Sequence, residues 1–262
     1  MNGRLIDVKF IRRLLIIFGV CYLLLTAVVY FFQEKLIFHP RAITADYLFD
    51  WGVEITVPVE GATLSTVWVR KPESKGVVIY FHGNVGDNNR GLYQMRNVLK
   101  RPYDAVIMDY RSYGKSTGEL ESDEQLFMDA QAVYDRVMQD YPEDKIYLLG
   151  YSLGTGMASY LAAENSPAEL TLVAPYTNLE DMKNQAFWWL PNFLLKYRLD
   201  TESRIATVKC PVNIFHGTQD ELIPFAMAER LQQLSPKQVR LFPMEDIGHR
   251  GAILEMSTAW LE

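Results

Sequence analysis

The chain has 262 residues, of which 49% are hydrophobic and 22% charged, as is typical of a folded domain with a sizeable core. Its formal net charge is −6 and the sequence contains no basic stripe, which excludes nucleic acid as the expected partner. Two cysteines, Cys21 and Cys210, cannot supply a disulfide framework or a metal cluster.

An uncharged, strongly apolar run occupies residues 14–32. As a helix this run reaches about 28 Å, close to the roughly 30 Å hydrocarbon core of a bilayer. It is longer than a typical secretory signal core, and no A-x-A-like cleavage site follows it, which favours an uncleaved anchor over a signal peptide. A lipoprotein signal is disfavoured because no small residue stands directly before Cys21. The alternative interpretation is a long buried helix of a soluble core.

Basic residues are unevenly placed around this run. Four precede it and two follow it closely: Arg4, Lys9, Arg12 and Arg13 before, and Lys35 and Arg41 after. The positive-inside rule then predicts a cytoplasmic N-terminus, with the rest of the chain on the non-cytoplasmic side, in a periplasm, a lumen or the exterior. The predicted division is a stub and transmembrane anchor over residues 1–35 and a folded domain over residues 36–262.

The folded part alternates strand-like and helix-like segments. Two β-branched runs at 53–57 and 63–70, separated by a Pro/Gly turn, predict an antiparallel hairpin. Continuous apolar runs typical of strands buried in a parallel sheet follow at 76–81, 105–109, 146–149, 170–174, 212–215 and 239–242. Helical patterns lie between most of them, the clearest at 123–139 with Ser122 as its cap. The sequence therefore predicts an α/β fold: a mostly parallel eight-stranded sheet with helices on both faces.

A G-Y-S-L-G sequence at 150–154 follows one of these strands and opens a helical stretch of small residues. A serine on a tight strand-to-helix turn presents its Oγ to a substrate, and glycines on either side leave room for the sharp bend. This context predicts that Ser152 is a nucleophile.

A serine nucleophile needs a base, and the base needs an acid that fixes its tautomer. His249 lies after the last predicted strand and is the expected base. His216 is the competing candidate and His82 is similar to it, whereas His39 is expected at the surface or an interface. Asp220 follows the seventh strand and is the expected acid. Glu221 is its adjacent alternative, whereas Asp246 is expected in solvent.

The oxyanion formed during acyl transfer needs backbone donors. One is expected from the N–H of Leu153, and the second from Asn84 or Val85, in a loop with small residues after the third strand. The alternative is that this loop is only a turn. The segment after the fourth strand contains Asp109 and Arg111, which are interpreted as holding the loops around the site. No metal or organic cofactor is expected.

These motifs together resemble the α/β-hydrolase superfamily over roughly residues 53–261. The closer resemblance is to a branch with five motifs in order: F-H-G-N-x-G at 81–86, D-Y-R-x-Y-G-x-S at 109–116, G-Y-S-L-G at 150–154, H-G-x-x-D-x-x-I-P at 216–224, and G-H at 248–249. Membrane-anchored members of this branch share an apolar N-terminus and a junction like that at 34–40. The branch includes proteins similar to serine aminopeptidases, lysophospholipases and depalmitoylases.

Residues 178–209, here called the lid segment, form an insertion between the sixth and seventh strands. Its aromatic side chains Phe187, Trp188, Trp189 and Phe193 are interpreted either as packing on the body of the domain or as an apolar entrance for an acyl chain near the bilayer.

The expected activity is hydrolysis of an ester or thioester, with an acyl or lipid substrate, through an acyl-enzyme on Ser152. Two alternatives stay open at this point. A serine aminopeptidase would need an acid for the substrate ammonium, for which Glu180 and Asp181 are candidates. A non-catalytic, membrane-anchored binding or scaffold protein could use the same fold.

Overall fold

The computed structural model of the chain describes residues 8–256 and Leu261. It begins with a single long apolar helix, α1 (Val8–Ile37), which is long and apolar enough to cross a membrane. At about 1.5 Å per residue it reaches about 45 Å. Most of its side chains are exposed, while Thr26 and Gln33 are buried. Arg4, used above to predict orientation, lies outside the described residues, as do residues 257–260 and 262 of the predicted folded domain.

Eight strands form the central sheet, as the sequence predicts. They are β1 (Val53–Val59), β2 (Ala62–Val69), β3 (Val77–Phe81), β4 (Asp104–Met108), β5 (Ile146–Tyr151), β6 (Glu169–Val173), β7 (Val212–Gly217) and β8 (Val239–Met244). Their order across the sheet is β8-β7-β6-β5-β3-β4-β2-β1. The β1–β2 and β2–β4 pairs are antiparallel and the others are parallel. The predicted antiparallel start and parallel remainder are confirmed.

Helices cover both faces of this sheet. They are α2 (Asn88–Gln94), α3 (Asp123–Met138), α4 (Gly154–Glu164), α5 (Leu179–Phe187), α6 (Thr201–Ile205), α7 (Phe225–Leu234) and α8 (His249–Glu255). One core cluster lies under α3, α4, α6 and α7, and a second lies on the opposite face under α2 and α8. Ser122 caps α3 as predicted, because its hydroxyl accepts a hydrogen bond from Gln125 N at 3.2 Å.

A second, two-stranded element joins α1 to the domain. The short strands His39–Pro40 and Val85–Gly86 pair in parallel, and His39 N donates to Asn84 O at 2.9 Å. Phe38 alone separates the end of α1 from the first of these strands, and its buried ring packs edge-on against Tyr197. The end of α1 is therefore fixed directly to the loop that follows β3.

Candidate active site

Ser152 sits on a strained turn between β5 and α4. Its φ is 52°, in the left-handed region that side chains rarely adopt, and its N–H donates to Val173 O at 2.9 Å. The flanking glycines make this turn possible. A Cβ at Gly150 would lie 2.7 Å from Gly154 O, and a Cβ at Gly154 would collide with Phe81 O. The turn therefore presents the serine side chain beyond the carboxyl end of the sheet, where ligands of such sheets bind.

Three side chains, from two loops and from the start of α8, form a continuous hydrogen-bonded chain. Ser152 Oγ lies 3.0 Å from His249 Nε2, and His249 Nδ1 lies 2.8 Å from Asp220 Oδ2. Ser152 and His249 are both 6% exposed, and the Asp220 side chain has no exposed surface. A hydroxyl bonded to an imidazole that is itself bonded to a carboxylate is the arrangement that activates a serine for attack.

The environment of Asp220 keeps it ionised. Burial alone would raise the pKa of this carboxyl, but hydrogen bonds to the charged form from His216, His249 and the Ile223 N–H outweigh burial, and the pKa is lowered. Oδ1 accepts from the N–H groups of Leu222 at 2.9 Å and Ile223 at 2.7 Å. A permanent carboxylate at this point can stabilise a positive charge on His249.

The other histidines and acidic residues considered for these roles lie around the three hydrogen-bonded side chains and are not part of that series of hydrogen bonds. His216 Nε2 is 2.9 Å from Ile223 O and 3.3 Å from Asp220 Oδ2, so His216 supports the loop that carries Asp220. Glu221 accepts from His249 N at 3.1 Å and thereby holds the backbone of that histidine. Asp246 accepts from Gln219 at the surface. His39 is an exposed residue whose backbone N–H pairs with Asn84.

His82 and Arg111 hold the surrounding loops. Burial lowers the pKa of His82 to about 4, so its imidazole is neutral at physiological pH. Tyr110 donates to His82 O at 2.6 Å. Arg111 pairs with Asp129 at 2.7 and 2.9 Å and donates to Glu60 O at 2.7 Å. The guanidinium thus joins the segment after β4 to α3 and to the turn between β1 and β2.

The residues expected to supply oxyanion donors flank Ser152. Leu153 is the N-cap of α4, and Asn84 lies in the loop after β3; both line the same cavity as Ser152. The Asn84 side chain donates to Ile37 O at 3.0 Å, and its carbonyl accepts from Tyr113 OH at 2.7 Å. Val85 is 44% exposed and pairs with His39. Between the two candidates for the second donor, the cavity lining favours Asn84.

The cavity beside Ser152 has a volume of about 330 Å³ and is mostly apolar. Three parts of the chain line it. The lining comprises Val29, Gln33, Leu36 and Ile37 of α1; Leu179, Met182, Lys183, Phe187, Leu190, Leu194 and Leu195 of the lid segment; and Asn84, Ser152, Leu153, Tyr176, Leu222 and Ile223 of the body. Lys183 donates to Leu190 O at 2.5 Å and to Asn192 Oδ1 at 2.6 Å, so its ammonium is hydrogen-bonded to two neutral oxygens of the lid segment.

The structure separates the four lid aromatics. Phe187 lines the cavity, whereas Trp188 and Phe193 are 78% and 84% exposed. Trp189 lies edge-on to Tyr22 of α1 with ring centroids 6.3 Å apart. The leucines and Met182 of the lid segment supply more of the cavity wall than its aromatics do, and sequence composition did not point to them.

Two further features escaped the sequence analysis. Tyr151 stacks on the His249 ring at a centroid distance of 5.4 Å and donates to His249 O at 3.2 Å. The last turns of α1 enter the cavity wall with the spacing 29, 33, 36 and 37, which is one face of a helix. The same spacing is present in the sequence, but it begins within the continuous apolar run of the predicted membrane span and so does not stand out as a separate pattern.

Comparison with known proteins places the fold in a family. A family model described as alpha/beta hydrolase fold matches residues 76–209, just over half of the chain, and the chain belongs to this family. The chain is similar to the lysophosphatidylserine lipase ABHD12 of Danio rerio, with 30% identity over 219 residues that cover 72% of this chain and 56% of that protein. The chain thus spans little more than half the length of this relative.

Other matches cover more of both chains. An uncharacterized protein of Mycobacterium tuberculosis strain H37Rv is 28% identical over 226 residues, which cover 83% of this chain and 80% of that protein. Among solved structures, the Pyrococcus furiosus esterase Pf2001 superposes with a TM-score of 0.67 at 20% identity, covering 86% of this chain and 94% of that one. At this identity the superposition establishes the shared fold.

Proposed function

We propose that this chain is a membrane-anchored serine hydrolase that cleaves an ester or thioester of a long-chain acyl group through an acyl-enzyme. The observation that carries the proposal is the hydrogen-bonded chain of Ser152, His249 and Asp220 in the wall of an apolar cavity. Membership of the alpha/beta hydrolase family supports the reaction class.

In the first half of the proposed reaction, Ser152 Oγ attacks the substrate carbonyl and His249 Nε2 takes the serine proton. Ionised Asp220 stabilises the resulting imidazolium and holds its tautomer. The tetrahedral oxyanion accepts hydrogen bonds from the backbone N–H groups of Leu153 and Asn84. Collapse breaks the bond to the leaving alcohol or thiol, which receives the proton from His249.

In the second half, water attacks the acyl-enzyme carbonyl while His249 removes one proton from it. Collapse of the second tetrahedral intermediate releases the carboxylic acid and returns the proton to Ser152 Oγ. Every proton in this cycle passes through His249. The residues proposed here account for the cycle with no metal or organic cofactor.

An acyl substrate is supported by the cavity, whose lining is dominated by aliphatic side chains with Ser152 and Leu153 on one wall. Relatives named lysophosphatidylserine lipases make a lipid ester the best-supported substrate class. The exposed Trp188 suits the headgroup level of a bilayer, where tryptophan is enriched, and the exposed Phe193 adds apolar surface on the same segment.

We propose that α1 is the membrane anchor, with its N-terminus in the cytoplasm and the folded domain on the opposite side. Its length, composition and exposed surface support an anchor. Lys9, Arg12 and Arg13 near its N-terminus support that orientation.

The aminopeptidase alternative is less well supported, because its candidate acids are occupied. Asp181 accepts from Thr177 and Asn178 and pairs with Arg230 at 3.2 Å. Glu180 contacts Asn192 and lies 3.6 Å from Arg198. A carboxylate already paired is a poor site for a substrate ammonium. The scaffold alternative is also less well supported, because a non-catalytic protein does not need the hydrogen bonds that join Ser152, His249 and Asp220.

The test uses the full chain in detergent with p-nitrophenyl esters from acetate to palmitate. We expect Ser152→Ala to lower hydrolysis by about 10³-fold or more at every length. The matched control is Ser159→Ala, which removes another buried serine hydroxyl on α4 that donates to Gly156 O. This variant should retain hydrolysis and the reaction of Ser152 with a fluorophosphonate.

Three outcomes would overturn the proposal. An equal loss in Ser152→Ala and Ser159→Ala, with both variants folded like the wild type, would mean that Ser152 has no special role in hydrolysis. Hydrolysis of aminoacyl-naphthylamides but not of esters would favour the peptidase. Folded wild-type protein that neither hydrolyses esters nor reacts with the fluorophosphonate would favour the scaffold.

A further inference from the structure

Gln33 is the point at which α1 meets the lid segment. It is 4% exposed, although most of α1 is exposed. Its Nε2 donates to Leu194 O at 3.0 Å, and its Oε1 accepts from Lys196 N at 2.8 Å. The side-chain amide of Gln33 thus both donates to and accepts from the backbone of the lid segment, as the backbone of a neighbouring strand would.

Further contacts extend this attachment along the same helix. Tyr22 donates to Trp189 O at 3.1 Å, and Lys196 pairs with Glu34 at 2.8 Å. From Tyr22 to Glu34 the helix rises about 18 Å. The lid segment is therefore attached to the body of the domain on one side and to α1 on the other.

Between these attachments α1 contributes directly to the cavity. Val29, Gln33, Leu36 and Ile37 follow one another at helical spacing and line it together with Ser152. The neighbouring Val28 is 54% exposed on another face of the helix. One face of the C-terminal part of α1 thus belongs to the cavity wall, while the other faces outward.

We propose that this face of α1 is a wall of the acyl-chain subsite and limits the length of acyl chain that the enzyme accepts. The inference rests on the function proposed above. The apolar residues of α1 that precede Val29 suit the hydrocarbon core, and the same helix continues into the cavity. An acyl chain that follows α1 from the bilayer to Ser152 therefore passes from the hydrocarbon core into a mostly apolar cavity, with little of its surface exposed to water on the way. The occupant is the acyl chain of a membrane lipid ester.

The test compares two substitutions at adjacent valines of the full chain in detergent. Val29→Trp fills the cavity wall, and Val28→Trp adds the same side chain to the outward face. The readout is the ratio of p-nitrophenyl palmitate to p-nitrophenyl acetate hydrolysis, normalised to fluorophosphonate labelling of Ser152. We expect Val29→Trp to lower this ratio about tenfold or more, because excluding two methylenes from an apolar site is worth roughly that factor. Val28→Trp should keep the wild-type ratio.

Val29→Ala is an independent test, because it removes side-chain volume from the cavity wall instead of adding it. Its wider wall should raise the same ratio, so the two substitutions at residue 29 should shift chain-length preference in opposite directions. Equal ratios in wild type, Val28→Trp and both residue 29 variants would overturn the inference while leaving Ser152-dependent hydrolysis intact. Failure of the proposed function has a different signature, since wild-type protein would then hydrolyse none of the esters.

Discussion

The two sides of the cavity are built in different ways. On the body side, the side chains of Ser152, His249 and Asp220 are almost fully buried and joined by hydrogen bonds of 2.8 and 3.0 Å, and the sheet fixes their positions. On the opposite side, α1 and the lid segment supply aliphatic side chains, held by a few polar contacts around Gln33. The side that we propose carries out the reaction is therefore fixed by the sheet and by several hydrogen bonds, whereas the side that we propose binds the acyl chain is attached to the domain at only a few points.

On the body side of the cavity, the largest loss of activity is expected from a substitution at Asp220, the proposed acid. Asp220→Asn should reduce kcat by about 10³–10⁴-fold, because the amide no longer stabilises the imidazolium and favours the wrong tautomer of His249. Glu221→Gln is the matched control: it neutralises the adjacent carboxylate, which contacts the backbone of His249 and not its ring. Steady-state ester hydrolysis measures both. A large loss in Glu221→Gln with little loss in Asp220→Asn would mean that Glu221 rather than Asp220 is the acid.

A second prediction concerns the stability of the body side against pH. The pKa of His82 is lowered to about 4 in the folded protein, against about 6.5 in an unfolded chain. The unfolded chain therefore binds the extra proton first as pH falls. The stability due to the neutral imidazole is complete above about pH 6.5 and is lost as pH falls towards 4, by about 3 kcal/mol.

The measurement is the midpoint of thermal unfolding in detergent between pH 7.5 and 4.5. The midpoint should fall less steeply in His82→Gln than in wild type, because glutamine does not titrate. Parallel curves for the two proteins would show that His82 does not carry this dependence.

The smallest predicted effect concerns the side of the cavity that is formed by α1 and the lid segment. Gln33→Leu leaves the Leu194 carbonyl and the Lys196 N–H without their partner, at a cost of about 1–3 kcal/mol confined to the lid segment. Tryptic cleavage after Lys196 should accelerate about tenfold, because local opening exposes that bond. Gln185→Leu changes an exposed glutamine of α5 and serves as control. Equal cleavage rates in both variants would contradict an attachment at Gln33.

The sequence predicted the sheet well, because buried parallel strands are continuous apolar runs and each run ends at a polar or glycine-rich loop. It also predicted which residues would lie near Ser152, since the carboxyl ends of parallel strands share one edge. The short strands His39–Pro40 and Val85–Gly86 were not predicted, because two residues show no periodicity.

The role of Gln33 was hidden for a different reason. A glutamine followed by Glu34 and Lys35 looks like the polar end of a membrane span, and only the tertiary structure shows that its amide pairs with a distant backbone. The lid aromatics were conspicuous for their size, yet size does not reveal which way a side chain faces. Of that group, Phe187 reaches the cavity, together with smaller aliphatic neighbours.

The junction after α1 has a consequence for how the domain meets a surface. A single residue, Phe38, separates the helix from a strand pair, and its ring is buried against Tyr197. Such a short and buried junction leaves the domain little freedom to move relative to α1, in contrast to a flexible linker, which allows free rotation of a domain. If α1 is the membrane anchor and the substrate a membrane lipid, as we propose, the cavity is held at one height and one tilt, and each substrate molecule reaches it by lateral diffusion in two dimensions. The orientational entropy of docking is then lost once, at membrane insertion, and not again in each turnover.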